Sequence, residues 1–242
     1  MKKKVVLIFG YNDYALEIAK NIRKTYENIV IYSLHAELDR AKNKTEFEVR
    51  GFDLSDKWDD IAENVDFENS IAFCVLEDSA ENIFLTISLR SLFSELNIIA
   101  LSNNKDTANK LQMAGANKVI PLVQTTAEMI SEMMEKPIVK EVFHTILFES
   151  GALKITQIEM NATNSYIGRE IFELDWNKKY GIIPLSVIQE NEKNDFIYAS
   201  KIKHHRVKKG DIFIIVGYEA DIQEFEKVLG RRDDVNWRNW SR

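Results

Sequence analysis

The stretch Lys4 to Ile22, KVVLIFGYNDYALEIAKNI, constrains the fold of this chain more than any other. Val5-Val6-Leu7-Ile8-Phe9 is a short unbroken apolar run. That is the pattern of a strand buried on both faces, as in a parallel sheet. Gly10 follows at once, and Ala15, Ile18, Ala19 and Ile22 then recur at i, i+3, i+4 and i+7 on one helical face. Strand, glycine turn and helix in this order open an α/β sheet in which the helix N-terminus can hold a phosphate.

The alternation continues. Ile29 to Tyr32 reads as a second buried strand and Phe47-Glu48-Val49 as a weak third. After Gly51-Phe52-Asp53, Ser55 or Asp56 can cap a helix through Ile61. Ser70 to Leu76 is a fourth strand, and Ser79 caps a helix carrying Ile83, Ile87, Leu89 and Leu92. Asn97 to Leu101 is the fifth strand, and the helix through Ala108 and Leu111 stops at Gly115. Val119-Ile120, closed by Pro121, is a sixth strand, and Thr126 to Met134 is helical. The pattern predicts an α/β domain, a Rossmann-like doubly wound parallel sheet, over residues 1–135. Residues 136–152 read as a connecting helix that begins near Pro137 and carries Val139, Val142, Phe143, Ile146 and Leu147 as an apolar stripe. A small α+β C-terminal lobe follows over 153–230. Its strands are Leu153 to Met160, Ile182 to Ile188 and Ile212 to Gly217. A short helix to Leu174, a polar hairpin loop from Glu190 to Asp195 and a helix from Glu219 to Leu229 complete it. Residues 231–242 form a tail with Trp237 and Trp240.

Composition narrows the function classes. With 45% apolar and 29% charged residues the chain is ordinary for a globular protein. A net charge of −6 without a long basic block argues against nucleic acid. No apolar run is long enough for a membrane span or a signal peptide. A single cysteine, Cys74, excludes an internal disulfide and fits a reducing cytoplasm. It sits in the apolar segment Ile71 to Leu76, as a buried, inert thiol would. His35 reads as a loop histidine. Lys201, Lys203, His204, His205 and Arg206 read as a solvated strand edge.

The glycine turn is the first candidate site. It reads Gly10-Tyr11-Asn12-Asp13-Tyr14-Ala15, against G-x-G-x-x-G/A for dinucleotide binding. Ala15 satisfies the third position. Asn12 stands where the second glycine would admit phosphates to the backbone; asparagine tolerates left-handed angles, but its side chain fills space. Asp13 adds a negative charge there. Ser33 stands at the end of the second strand, where NAD-binding folds carry an acid for the ribose hydroxyls.

Several segments resemble a known family. Gly51-Phe52-Asp53 resembles its G-D-A stretch, and Glu77-Asp78-Ser79-Ala80-Glu81-Asn82-Ile83 its D-D-x-x-N-I stretch. Leu111 to Ile120, LQMAGANKVI, resembles L-x-x-A-G-A-D-x-V-I. Gly168 to Leu174 resembles G-K-x-L-x-E-L, and Val207 to Gly217 resembles L-x-x-G-D-x-L-x-V-x-G. In this order they are similar to the RCK (regulator of K+ conductance, or KTN) module, with its TrkA-N-like and TrkA-C-like lobes.

The resemblance implies a non-enzymatic regulatory module that gates a potassium channel or transporter by ligand-dependent conformational change of a dimer or octameric ring. Its partner would be the membrane pore, and its place the cytoplasm at the inner face of the cell membrane. The family ligand in the first lobe is a nucleotide, NAD(H), ATP/ADP or AMP. Carried over, the positions are Gly10, Tyr11, Asn12, Asp13, Tyr14, Ser33, Phe52, Asp53, Leu76 and Glu77. Some relatives bind Ca2+ through carboxylates after the third and fourth strands. Glu77 matches one such position but Phe52 stands at the other, so no metal is favoured. Some relatives sense a cyclic dinucleotide in the second lobe. The connecting helix and the helix from Ser79 to Leu92 are expected to contribute to a dimer surface. The alternatives are a degenerate, ligand-free scaffold lobe and a small NAD(P)-dependent oxidoreductase. The last would need a competent phosphate turn and a proton donor such as a Tyr/Lys or His/Asp pair near the nicotinamide, with His144, His204 and His205 as the histidines to consider.

Overall fold

The computed structural model describes residues 4–35, 38, 45–55, 58–135, 153–161, 165–189, 197–198 and 202–229. The chain divides into two compact units between Ser131 and Glu132.

The first unit is a Rossmann-like lobe. Its strands are β1 (Val6–Phe9), β2 (Ile29–Leu34), β3 (Glu48–Phe52), β4 (Ile71–Cys74), β5 (Asn97–Ser102) and β6 (Lys118–Pro121). They form one parallel sheet in the order β3-β2-β1-β4-β5-β6. Its described helices include α1 (Asp13–Ile22), α2 (Asp59–Asn64), α3 (Ser79–Leu92), α4 (Lys105–Met113) and α5 (Leu122–Glu135). β1 is buried throughout, as an unbroken apolar run requires. Its side chains alternate between two cores. Val5, Leu7 and Phe9 join Trp58, Ile61, Leu85, Leu89 and Leu111 on one face. Val6 and Ile8 join Ala15 and Ala19 of α1 on the other. Phe9 pairs with Tyr32 on one side and Cys74 on the other. Strand order reverses at this point, so a crevice opens outside the carboxyl ends of β1 and β4.

The structure corrects several local expectations. β3 runs through Gly51 and Phe52, so only Asp53 of that segment follows the strand. Phe52 is 1% exposed and meets Phe9 edge-on at 5.6 Å, which carries the strand inward. Ser55 does not cap α2; its N–H and hydroxyl both donate to Asp53 Oδ1, and α2 starts after Trp58 at φ 59°. Asp56 lies outside the described residues. Ser79 is the first residue of α3, not its cap. Asp78 takes that role, accepting the Ala80 and Glu81 N–H groups at 2.8 and 2.9 Å. α5 begins at Leu122, earlier than Thr126.

The second unit is a small α+β lobe. β7 (Leu153–Glu159), β8 (Ile183–Ile188), β9 (Ile197–Tyr198) and β10 (Ile212–Tyr218) make an antiparallel sheet in the order β7-β10-β8-β9. With them are α6 (Ile171–Leu174), α7 (Trp176–Tyr180) and α8 (Glu219–Val228). Phe213 and Ile215 of β10 face a core with Trp176 and Phe225, whose rings meet at 5.0 Å. The sequence pattern missed two elements here. α7 is separated from α6 by Asp175 in the left-handed region, and β9 is only two residues long. The expected connecting helix, the Glu190–Asp195 loop and the tail lie outside the described residues. Among the described residues no helix is long and apolar enough to cross a membrane.

Candidate functional site

The crevice outside β1 and β4 holds a pocket of about 400 Å3. Asn12 and Tyr14 line it from α1, Leu76 and Glu77 from the segment after β4, Asn82 from α3 and Ser102 from β5. The topology therefore brings together four of the candidate residues, Asn12, Tyr14, Leu76 and Glu77.

Gly10 lies beside them at φ 125°. A Cβ there would sit 2.9 Å from the Val75 carbonyl oxygen, so glycine is required by the approach of β4 alone. Gly10 N–H donates to Tyr32 O and Val75 N–H to Phe9 O, at 2.8 and 2.9 Å. Asn12 has extended backbone angles (φ −149°, ψ −178°), so it does not use the left-handed tolerance expected of it. Its work is done by the side chain. Oδ1 accepts the Ala15 N–H at 3.0 Å, capping α1, and Nδ2 donates to the Val75 carbonyl at 2.7 Å. Tyr11 packs against the core on the α1 face of the sheet. Asp13 opens α1 and is exposed, and Tyr14 is half exposed.

The remaining candidates lie at the ends of β2 and β3. Ser33 is buried within β2, its hydroxyl directed to the Leu34 carbonyl at 3.3 Å. Phe52 belongs to the aromatic core. Asp53 is exposed, and the Ser55 backbone N–H, then its hydroxyl and nearby His35, lower its pKa.

The sequence pattern assigns Asn82 no role, yet its side chain holds the strand ends that border the crevice. It is 1% exposed. Its Nδ2 donates to the carbonyls of Cys74 and Leu101 at 3.2 and 3.0 Å, and its Oδ1 accepts the Leu76 N–H at 3.2 Å. One side chain thus ties the ends of β4 and β5 to α3. Its place one turn into α3, after an acidic cap, was the available signal. Cys74 lies beneath, fully buried, and burial pushes its thiol up to about 12, which leaves it protonated and inert. Among the described residues no group of three or more His, Cys, Asp or Glu side chains could hold a metal ion.

In the second lobe the basic stretch is not uniformly solvated. His205 is buried, with Nε2 2.6 Å from Asp211 Oδ2, which also accepts the Lys208 N–H at 2.8 Å. The turn before β10 aims the Asp211 carboxylate inward, and His205 follows it. Arg206 pairs with Glu170 at 3.0 Å on the surface. Lys201 lies outside the described residues.

The turn uses part of its own phosphate-binding capacity internally. The third amide of α1, a natural phosphate donor, is already taken by Asn12 Oδ1. Asp13 stands beside it with a negative charge.

The family model for the TrkA-N domain matches residues 6–122. A curated relative, "Probable potassium channel protein 2" of Methanocaldococcus jannaschii, is 24% identical over 164 residues, which is 65% of this chain and 46% of that protein. The human SLO3 gating ring shares the fold at a TM-score of 0.60 and 12% identity, over 92% of this chain and 46% of that one. The GsuK channel does so at 0.50 and 15%, over 96% and 39%. The chain thus spans less than half the length of these proteins. The first lobe is a Rossmann-like nucleotide fold in its topology, and residues 6–122 match the TrkA-N domain, in keeping with an RCK-type lobe.

Asn82→Ala leaves one N–H and two carbonyls without this partner. It is expected to lower unfolding stability by about 2 kcal/mol or more, read from urea melts; a loss near zero would show that the strand ends do not depend on it.

Proposed function

We propose that the chain is a non-enzymatic regulatory module that controls potassium flux through a membrane channel or transporter. The observation that carries this reading is the TrkA-N match together with sequence similarity to a potassium channel protein over 164 residues. Control would act as a difference in affinity or packing between two states of an assembly, which demands no chemistry on a substrate. The oxidoreductase alternative lacks support at the site. Among the described residues the crevice is lined by no histidine, and His205 is bonded to Asp211 in the other lobe. His144 lies outside the described residues.

An assembly is favoured by α3. Phe84, Ile87 and Leu92 are each about half exposed on a helix whose other side, through Leu85 and Leu89, is fully buried. A homodimer or an octameric ring would cover them. An effector would enter the 400 Å3 crevice without a diphosphate, or act in the second lobe. A second reading, a ligand-free lobe that only scaffolds the assembly, is favoured by the internal hydrogen bonds of Asn12.

Removing the chain from its native host is expected to change rubidium tracer uptake at low external potassium; unchanged uptake would contradict the reading. For the assembly, Ile87→Asp is expected to lower the mass measured by light scattering while unfolding stability stays within about 0.5 kcal/mol of the parent. A variant of unaltered mass would remove α3 from the interface.

A further inference from the structure

The fold leads one to expect a phosphate at the N-terminus of α1, and the residues there point elsewhere. We infer that Asn12 is the specificity-determining residue of the crevice, closing it to nucleotide diphosphates by doing internally what a diphosphate would do. A bound phosphate at such a turn accepts amide hydrogens of the first helical turn and lies against the backbone where the second glycine leaves room. Asn12 Oδ1 accepts the Ala15 N–H, and a side chain stands at the position where the second glycine would have none. Its second bond, Nδ2 to the Val75 carbonyl at 2.7 Å, joins the α1 end of the turn to the strand end across the crevice.

Three further observations agree. Gly10 is explained without a ligand, because a Cβ would strike Val75 O at 2.9 Å. Ser33, where an acid would hold a ribose, is fully buried and turned onto its own strand. Glu77 lines the crevice and is exposed, and Asp13 is exposed next to Asn12 at the start of α1; both carry charge that repels an anion. The pocket that remains beside Asn12 suits a ligand without phosphate groups.

Asn12 acts in this way whichever membrane partner the chain serves, so the test uses the purified full chain alone. Isothermal titration with ADP and with NADH is expected to give no saturable binding to the parent protein up to about 1 mM. Asn12→Gly, which removes both bonds and opens the turn, is expected to bind ADP at least tenfold more tightly than the parent. Asn12→Ser keeps an N-cap oxygen but has no amide to reach Val75, and it is expected to gain affinity as well. It decides the matter if the glycine variant fails to fold. Micromolar binding of either nucleotide to the parent would overturn the inference, and so would folded variants that bind no better than the parent.

Discussion

The near-contact of Gly10 with the Val75 carbonyl is the constraint on which the first lobe depends. β1 is the only strand of this sheet with β2 on one side and β4 on the other, and the chain reverses its winding there. Both neighbours close on the same turn. Gly10 N–H reaches Tyr32 on β2, and Val75 returns its N–H to Phe9. A side chain on Gly10 would push β4 away and open the sheet at its centre. The same closeness brings the Val75 carbonyl within reach of Asn12, so packing at the strand ends and the character of the crevice have one cause.

Buried polar side chains hold the other loop ends. Asn82 joins β4 and β5. Arg90 performs a similar service one layer out: its Nε donates to the Gly115 carbonyl at 2.9 Å and its NH2 to Asn117 Oδ1, which also accepts the Ile98 N–H at 2.8 Å. Burial lowers the pKa of Arg90 by disfavouring its charged form. Gly115, at φ 101°, leaves no room for a Cβ beside the Arg90 stem. In the second lobe Asp211 and His205 fasten the turn before β10. Asn82, Asn117 and Asp211, each in a segment that resembles the family, are polar side chains hydrogen-bonded at the end of a strand.

Much of this was legible in the sequence. The apolar runs located the central strands to within a residue or two, because strands buried on both faces leave no alternative pattern. Gly115 marked the end of α4 correctly, since only a residue at ease with positive φ could turn there. Local competition defeated the pattern elsewhere. Asp78 and Ser79 are both good caps, and backbone geometry chose the carboxylate. Phe52 reads as a loop residue beside Gly51, yet its ring is drawn into the cluster of Phe9, Tyr32 and Trp58. α7 was hidden because its five residues carry no period, only the buried Trp176. At the candidate site the sequence announced that Asn12 and Ser33 were unusual. It gave no sign that Asn12 would bond across to β4, because that contact depends on a residue sixty-three positions away.

A turn whose helix cap is supplied by its own Asn12 beside a crevice of about 400 Å3 is the feature that most sets this lobe apart from the dinucleotide pattern. The most direct measurement is a crystal structure of the chain grown with ADP. The account predicts an Asn12 amide still bonded to the Val75 carbonyl and no diphosphate at the N-terminus of α1. A diphosphate seated there, with the Asn12 side chain rotated out of the turn, would contradict it.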